Sequence, residues 1–161
     1  MHNNQQFEWH HLGSGPLREA LEQEAIALLP ENVHYKFYGQ LTNEEVYQFY
    51  HSTPVDLFLN VSETEGIPVS IMEAQSLSIP VVATAVGGTP EIVDDENGLL
   101  LPADLTPNIL SSEISNLFSD SDILQRKRQK ARENWEQKYN ADINYQIFVK
   151  RILNQTNKTA Q

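Results

Sequence analysis

Two glutamates, Glu65 and Glu73, are the residues whose type and surroundings point most directly to chemistry. Seven residues separate them. Each carboxylate can accept hydrogen bonds through two oxygens, which suits the hydroxyl groups of a sugar. The spacing alone is not specific, because a chain with fifteen glutamates readily contains such a pair by chance. The neighbouring elements therefore decide whether the pair forms a site.

The elements around the two glutamates predict a ligand site. An apolar run, Val55–Val61, predicts a strand buried on both faces. A polar loop, Ser62–Gly66, follows it, and Pro68–Leu77 predicts a helix. Open α/β sheets bind ligands at the carboxyl ends of their strands. The N-terminus of the next helix adds unpaired N–H groups and a partial positive charge.

The rest of the chain alternates strands and helices. The other predicted strands are Phe7–Leu12, Val33–Tyr38, Pro80–Thr84 and Gly98–Leu101. The other predicted helices are Leu17–Leu29, a helix capped by Thr42 and Glu45 that runs to about His51, one turn at Thr89–Val93, Ile109–Phe118, Ser121–Tyr139 and Asp142–Leu153. This alternation predicts a Rossmann-like α/β domain with a parallel sheet of about five strands, helices on both faces and a helical C-terminal end.

The predicted domain covers residues 7–153. Residues 1–6 are polar, and we expect them to be disordered or vector-derived. Residues 154–161 form a second polar stretch, which we expect to be a disordered tail. In the first predicted helix, Leu17, Leu21, Ala25 and Leu28 make an apolar stripe.

Composition excludes several function classes. A net charge of −11 argues against nucleic-acid binding and against a polybasic membrane patch. The absence of cysteine excludes disulfides and thiolate metal sites. His10 and His11 point to opposite faces of a strand, so we expect no metal site there. No apolar run approaches the roughly 20 residues of a membrane span, and no signal peptide is visible, which favours a cytoplasmic location.

The distribution of cations is uneven. Only Arg18 and Lys36 precede residue 126, and the other nine lysines and arginines come at or after it. We expect Arg126–Arg132 to be the solvated face of a helix. The candidate site therefore has few cationic side chains nearby in sequence.

Six segments together resemble a known family. They are Gly13–Pro16, Gly39–Glu45, Ser62–Ala74 (SETEGIPVSIMEA), Ile79–Thr84, Gly87–Val93 and Asn97–Leu100. In this order they are similar to the C-terminal domain of the retaining, GT-B-fold glycosyltransferases called group 1 or family 4. The resemblance covers about Phe7–Leu153, and Glu65 and Glu73 match the family's two-glutamate signature.

The resemblance implies roles for individual residues. Glu65 would sit at the donor sugar and its reacting end, as the catalytic residue, and Glu73 would bind the ribose hydroxyls of a nucleotide sugar. The remaining donor-binding residues fall into three groups: Gly66, Ile67, Pro68 and Val69 at the sugar or pyrophosphate, Gly39, Gln40 and Leu41 at the nucleobase, and Gly13, Ser14 and Gly15 as a tight loop on the same rim. No cofactor and no metal are implied: the nucleotide sugar is the donor substrate, and positive groups rather than a metal would stabilise the leaving diphosphate.

The implied function is donor binding in a retaining glycosyltransferase. The enzyme would transfer a hexosyl group from an NDP-sugar to a sugar or lipid-linked acceptor. The enzyme would be cytoplasmic. In its full-length form it could also bind peripherally to the inner face of the membrane. Two alternatives remain: a GT-B-fold nucleotide-sugar epimerase or phosphorylase domain, and a non-catalytic nucleotide-sugar-binding or interaction module.

Departures from the family limit the activity expected of this chain alone. The family has an N-terminal acceptor domain, and its C-terminal domain begins with one more strand, which is central and brings an arginine and a lysine to the pyrophosphate. We expect this chain alone to bind nucleotide sugars weakly and to catalyse nothing. The strands flanking the missing one would close on each other, or a second copy would associate through the exposed strand edges.

Overall fold

The structure is a computed structural model that describes residues 6–159. The chain divides into two compact units, one ending at Pro54 and the other beginning at Val55. The first unit contains β1 (Phe7–Leu12), α1 (Arg18–Leu28), β2 (Val33–Gly39) and α2 (Asn43–Ser52). The second contains β3 (Phe58–Asn60), α3 (Val69–Ser76), β4 (Val81–Thr84), α4 (Thr89–Ile92), β5 (Gly98–Leu101), α5 (Pro107–Ser119), α6 (Ser121–Lys138) and α7 (Ala141–Thr159).

In the first unit, β1 and β2 form a parallel pair, with Trp9 opposite Tyr35. The predicted capping box of α2 is present, because the Thr42 side chain accepts from the Glu45 backbone N–H while the Glu45 carboxylate accepts from the Thr42 N–H. This exchange satisfies two N–H groups that the first helical turn leaves unpaired. The capping residues therefore fix the start of α2 from local sequence alone.

Aromatic rings fill both faces of the first sheet. Trp9 and His11 contact Phe37 on one side, and His10 contacts Phe49 on the other, with ring centroids 5.0–5.3 Å apart. The prediction that the two histidines point to opposite faces is confirmed.

The apolar stripe of α1 is buried at only one of its four residues. Ala25 is buried, but Leu17 is 69% and Leu28 76% exposed. Helical periodicity places these side chains on one face of α1. They are buried only where another part of the protein packs against that face.

In the second unit, the strands are parallel in the order β3-β4-β5. The middle strand β4 is buried at every residue, since it has a neighbour on each edge. Val82 packs with Leu101 and Leu117, and Ile71 of α3 is fully buried. This core fixes the carboxyl ends of β3 and β4.

The prediction of a strand buried on both faces over Val55–Val61 is wrong. Only Phe58–Asn60 is strand, and Leu59 and Val61 are 39% and 47% exposed. The physical reason is position in the sheet: β3 pairs only with β4 among the described strands. The run is also interrupted by Asp56 and Asn60, so it forms an end strand, and full burial is found in β4.

The cations of α6 form the predicted solvated face only in part: Arg126 and Lys130 are exposed, and three others reach backbone carbonyls. Arg128 donates to the Val55 carbonyl at 2.9 Å and pairs with Asp56 at 2.7 Å. Lys127 donates to the carbonyls of Asp95 and Gly98, and burial lowers the pKa of its ammonium group. Arg132 donates to the Ser76 carbonyl. These side chains tie α6 to the loops of its own unit.

The α/β class and the parallel strands are confirmed, but the five strands form two sheets rather than one. Within residues 6–159, β1 and β2 form one ladder, and β3, β4 and β5 form the other. Direct closure of the strands flanking the missing one stays a prediction. A ladder requires strands about 4.8 Å apart, and local sequence does not specify which strands become neighbours. Self-association through the open edges stays a prediction.

The two ends that we expected to be disordered are only partly within the described residues. Residues 1–5, 160 and 161 lie outside the described residues, and Gln6 is exposed and irregular. The backbone of α7 continues as helix to Thr159, beyond the predicted start of the tail at Asn154. No helix of the part of the chain described here combines the length and apolarity needed to span a membrane.

Candidate functional site

The Glu65 side chain is held by residues of its own loop. Its Oε1 accepts from the Asn60 side-chain amide at 3.1 Å and from the Ser62 hydroxyl at 2.7 Å. The residue is half-buried, and its Oε2 has no hydrogen-bond donor among the described residues. One carboxylate oxygen is thus occupied, and the other can accept from a ligand hydroxyl.

The backbone of the same loop is fixed by β4 and by the turn at Gly87 and Gly88. The Thr84 hydroxyl donates to the Ser62 carbonyl at 2.5 Å, and the Gly88 N–H donates to the Gly66 carbonyl at 2.9 Å. Gly87 has φ +53°, and a Cβ there would overlap the Glu65 carbonyl oxygen. The turn can approach this closely only because it lacks side chains.

The start of α3 lies directly after this loop. Its N-cap residue, Pro68, makes no side-chain capping bond, and the first turn contains no acidic residue. Ile67 and Val69 are 43% and 62% exposed. Helix N-termini of this kind carry unpaired N–H groups and a partial positive charge, so they can bind a phosphate or a sugar oxygen.

Glu73 lies in the middle of α3 and is half-buried. Its backbone carbonyl accepts from the Ser76 hydroxyl at 2.6 Å. The second unit therefore contains Glu65 in the loop before α3 and Glu73 within that helix, as the sequence predicted. The predicted residues Gly66, Ile67, Pro68 and Val69 connect them.

The other predicted donor-binding residues belong to the first unit. Gly13, Ser14 and Gly15 follow β1, while Gly39, Gln40 and Leu41 lie at and after the end of β2. The Gly13 N–H donates to the Gly39 carbonyl at 2.8 Å, so these two loops meet. Arg18 lies beneath them, and a Cβ on Gly39 would come within 2.9 Å of its Nη1.

Sequence reasoning assigned no partner to the Glu65 carboxylate. Asn60 was included only in the predicted strand Val55–Val61, and Ser62 only in the polar loop Ser62–Gly66. One sequence pattern could have indicated these partners: an Asn at the end of a strand with a Ser two residues later. The Asn60 Oδ1 accepts from the Ser62 N–H at 3.1 Å, which is the local hydrogen bond that this pattern favours.

A buried amide cluster was missed as well. Gln75 is fully buried, and its amide donates to the Ile92 carbonyl at 3.0 Å and to Asn97 Oδ1 at 3.3 Å. Asn134 donates to Gln75 Oε1 at 2.9 Å. Buried polar groups are stable only when paired in this way, so we assign this cluster to the fold and not to ligand binding. Residues 6–159 contain no group of three or more His, Cys, Asp or Glu side chains placed to hold a metal ion.

Comparison with known proteins identifies a family and a fold. The family model described as "Glycosyl transferases group 1" matches residues 2–138. The chain is 32% identical over 115 residues to the O-antigen biosynthesis glycosyltransferase WbnH of Escherichia coli. The matched region covers 71% of this chain and 30% of that protein. It is 31% identical over 146 residues to the putative colanic acid biosynthesis glycosyltransferase WcaL of Escherichia coli K12, covering 85% and 35%.

Solved structures agree on the fold. HepE of Anabaena, solved with UDP and with UDP-glucose, superposes with TM-scores of 0.76 and 0.74 at 19% identity, covering 94% of this chain and 49% of that chain. The C-terminal domain of the group 1 glycosyl transferase LpcC of Francisella tularensis superposes with a TM-score of 0.56 at 20% identity, covering 84% of this chain and 87% of that domain.

The chain thus spans about a third of the length of the two curated relatives described above. Its fold is that of the C-terminal half of a GT-B enzyme. With the family model covering residues 2–138, the chain belongs to the group 1 glycosyl transferases.

Proposed function

We propose that this chain is the donor-binding domain of a retaining glycosyltransferase, which transfers a hexosyl group from an NDP-sugar to a sugar or lipid-linked acceptor. Glu65 meets the donor sugar and its reacting end, and Glu73 binds the ribose hydroxyls. The backbone of residues 66–69 faces the sugar or pyrophosphate. No metal takes part, and the acceptor is held by a domain outside these 161 residues.

One observation carries the proposal. A half-buried carboxylate, Glu65, is held at the end of β3 directly before an uncapped helix start, and a second carboxylate, Glu73, lies on that helix. The carboxylate oxygens can accept hydrogen bonds from sugar hydroxyls, and the N–H groups at the helix start can donate to phosphates. Sugar hydroxyls and phosphates are the two chemical parts of a nucleotide sugar. HepE, which shares the fold, was solved with UDP and with UDP-glucose.

We further propose that binding by this chain alone is weak. Arg18 is paired with Glu22, and Lys36 lies over the Tyr38 ring. In the second unit, Lys127, Arg128 and Arg132 are bonded to loop carbonyls. A diphosphate without free cations loses its strongest charge-assisted bonds, so the chain is expected to bind without transferring the sugar.

Several predicted features stay predictions. Contacts of Gly13, Ser14, Gly15, Gly39, Gln40 and Leu41 with the donor belong to this group. The cytoplasmic location, peripheral to the inner membrane face in a longer enzyme, also stays a prediction. The retaining outcome awaits product analysis.

The proposal is tested by titrating the 161-residue chain with a panel of UDP- and GDP-sugars, followed by NMR at residues 66–69 and by calorimetry. We expect weak, saturable shifts at these amides. Glu73→Ala should weaken binding about tenfold, because it removes hydrogen bonds to a charged acceptor. Glu113→Ala in α5 is the matched control, since it truncates a glutamate on another helix of the same unit.

Two outcomes would contradict parts of this proposal. Unchanged affinity in Glu73→Ala would remove the ribose role. Micromolar affinity of the unsubstituted chain would contradict weak binding and would mean that cations absent from this site are not required.

A further inference from the structure

The Glu65 carboxylate is asymmetric in its contacts. Both donors that reach it, the Asn60 amide and the Ser62 hydroxyl, bind the same oxygen, Oε1. One oxygen is therefore used internally, and no donor among the described residues reaches Oε2.

The two donors are themselves anchored in the core. Asn60 is the last residue of β3, and its side-chain oxygen accepts from the Ser62 N–H. The Ser62 carbonyl accepts from the hydroxyl of Thr84, which is 3% exposed on the buried strand β4. Four hydrogen bonds therefore connect the sheet to the Glu65 carboxylate: two reach the carboxylate itself, and two hold the residues that donate them.

We infer that Asn60 and Ser62 are positioning residues that hold the Glu65 carboxylate in one rotamer by occupying Oε1, so that Oε2 is presented to the donor sugar. The inference rests on the proposed function, because it takes Glu65 as the residue at that sugar. A glutamate without these contacts samples several rotamers, and ligand binding must then order it. Ordering before binding removes that cost.

The positioning is tested first without a ligand. Three-bond NMR couplings report χ1 of Glu65 in the unsubstituted chain, in the Asn60→Ala/Ser62→Ala double variant, and in Ser112→Ala, a matched control on α5. We expect a single rotamer in the chain and the control, and averaged couplings in the double variant, with the amide shifts of β4 unchanged. Averaged couplings in the unsubstituted chain, or a single rotamer in the double variant, would overturn the inference.

The consequence for ligand binding is tested with two probes, UDP-glucose and UDP. The double variant should bind UDP-glucose about fivefold more weakly and UDP unchanged, since only the sugar meets Glu65. In a Glu65→Ala background, the same two substitutions should have no further effect. Additive losses, or equal losses for both probes, would overturn the inference.

The two hypotheses fail in different ways. If the unsubstituted chain binds no nucleotide sugar, the proposed function is wrong for these residues, and the ligand-free couplings still decide whether Asn60 and Ser62 position Glu65.

Discussion

The loop after β1 in the first unit and the loop after β3 in the second both leave the carboxyl end of a parallel strand and lead to a helix. Their surroundings differ. A Cβ added at Gly15 would meet no atom within 4 Å, whereas a Cβ at Gly87 would overlap the backbone of Glu65. The loop of the second unit is packed against a glycine turn and bonded to β4, and the loop of the first unit has free space around Gly15.

This difference teaches that the same sequence signal has two physical meanings. Glycine at the ends of strands signals a tight turn in both units. In the second unit the glycines at 87 and 88 are required because another backbone segment occupies the space. The backbone of Glu65 is therefore held by its close contact with this turn.

The largest loss of stability is expected where Gly87 contacts the backbone of Glu65. Gly87→Ala should destabilise the second unit by about 4 kcal/mol, because it adds steric overlap to a left-handed backbone conformation. Denaturant unfolding followed by Trp135 fluorescence in a Trp9→Phe background reports this unit. Gly15→Ala is the control, followed by Trp9 fluorescence in a Trp135→Phe background, and should change the stability of the first unit by less than about 0.5 kcal/mol. Equal effects at the two glycines would remove the contrast between the loops.

The two helices that come after these loops offer a second comparison. Ile71 on α3 is fully buried, and Ile26 on α1 is 65% exposed. Ile71→Ala should cost about 3 kcal/mol through lost burial and a residual cavity. The same substitution at Ile26 should cost less than about 0.5 kcal/mol on packing grounds. Amide hydrogen exchange, resolved for each unit, measures both, and a large loss at Ile26 would show that α1 is covered in solution.

The smallest effect is expected at α2 of the first unit, where stability comes from local capping. The hydrogen bond from the Thr42 N–H holds the pKa of Glu45 below its ordinary value of 4.5. This contribution is therefore present above pH 4.5 and is lost as the pH falls through the lowered pKa of the folded state. Glu45→Gln keeps a capping side chain without the charge.

We expect the stability difference between the unsubstituted chain and Glu45→Gln to shrink below pH 4.5, measured by circular dichroism at graded pH. Thr42→Ala, which removes the N-cap, should cost about 1 kcal/mol at neutral pH. A difference that stays constant into acid would contradict the charged capping bond.

Local sequence predicted much of this fold because local causes determine it. The bounds of β1 and the capping box of α2 matched the prediction, since alternation and capping act within a few residues. The division into two sheets was not predictable in this way, because strand pairing depends on neighbours that are distant in sequence. The exposure of Leu59 has the same cause.

The candidate site was only partly predictable. Glu65 and Glu73 were predicted from the surrounding string of residues, and the loop and helix that contain them are where the prediction placed them. The partners of Glu65 were not found, because a short polar loop allows many local hydrogen bonds and only the fold selects among them. Three of the α6 cations were misread for a related reason: a charged helix face has the same pattern whether it meets water or loop carbonyls.

Helix α7 has a consequence for how the chain behaves in solution. Among the described residues, seven exposed large apolar side chains belong to it: Ile143, Tyr145, Ile147, Phe148, Val149, Ile152 and Leu153. At low ionic strength the net charge of −11 keeps molecules apart. Raising salt from about 0.1 M to about 1 M shortens the Debye length from about 10 Å to about 3 Å. The repulsion is then screened while the apolar surface still favours leaving water, so the colloidal stability of this acidic chain decreases as salt is added.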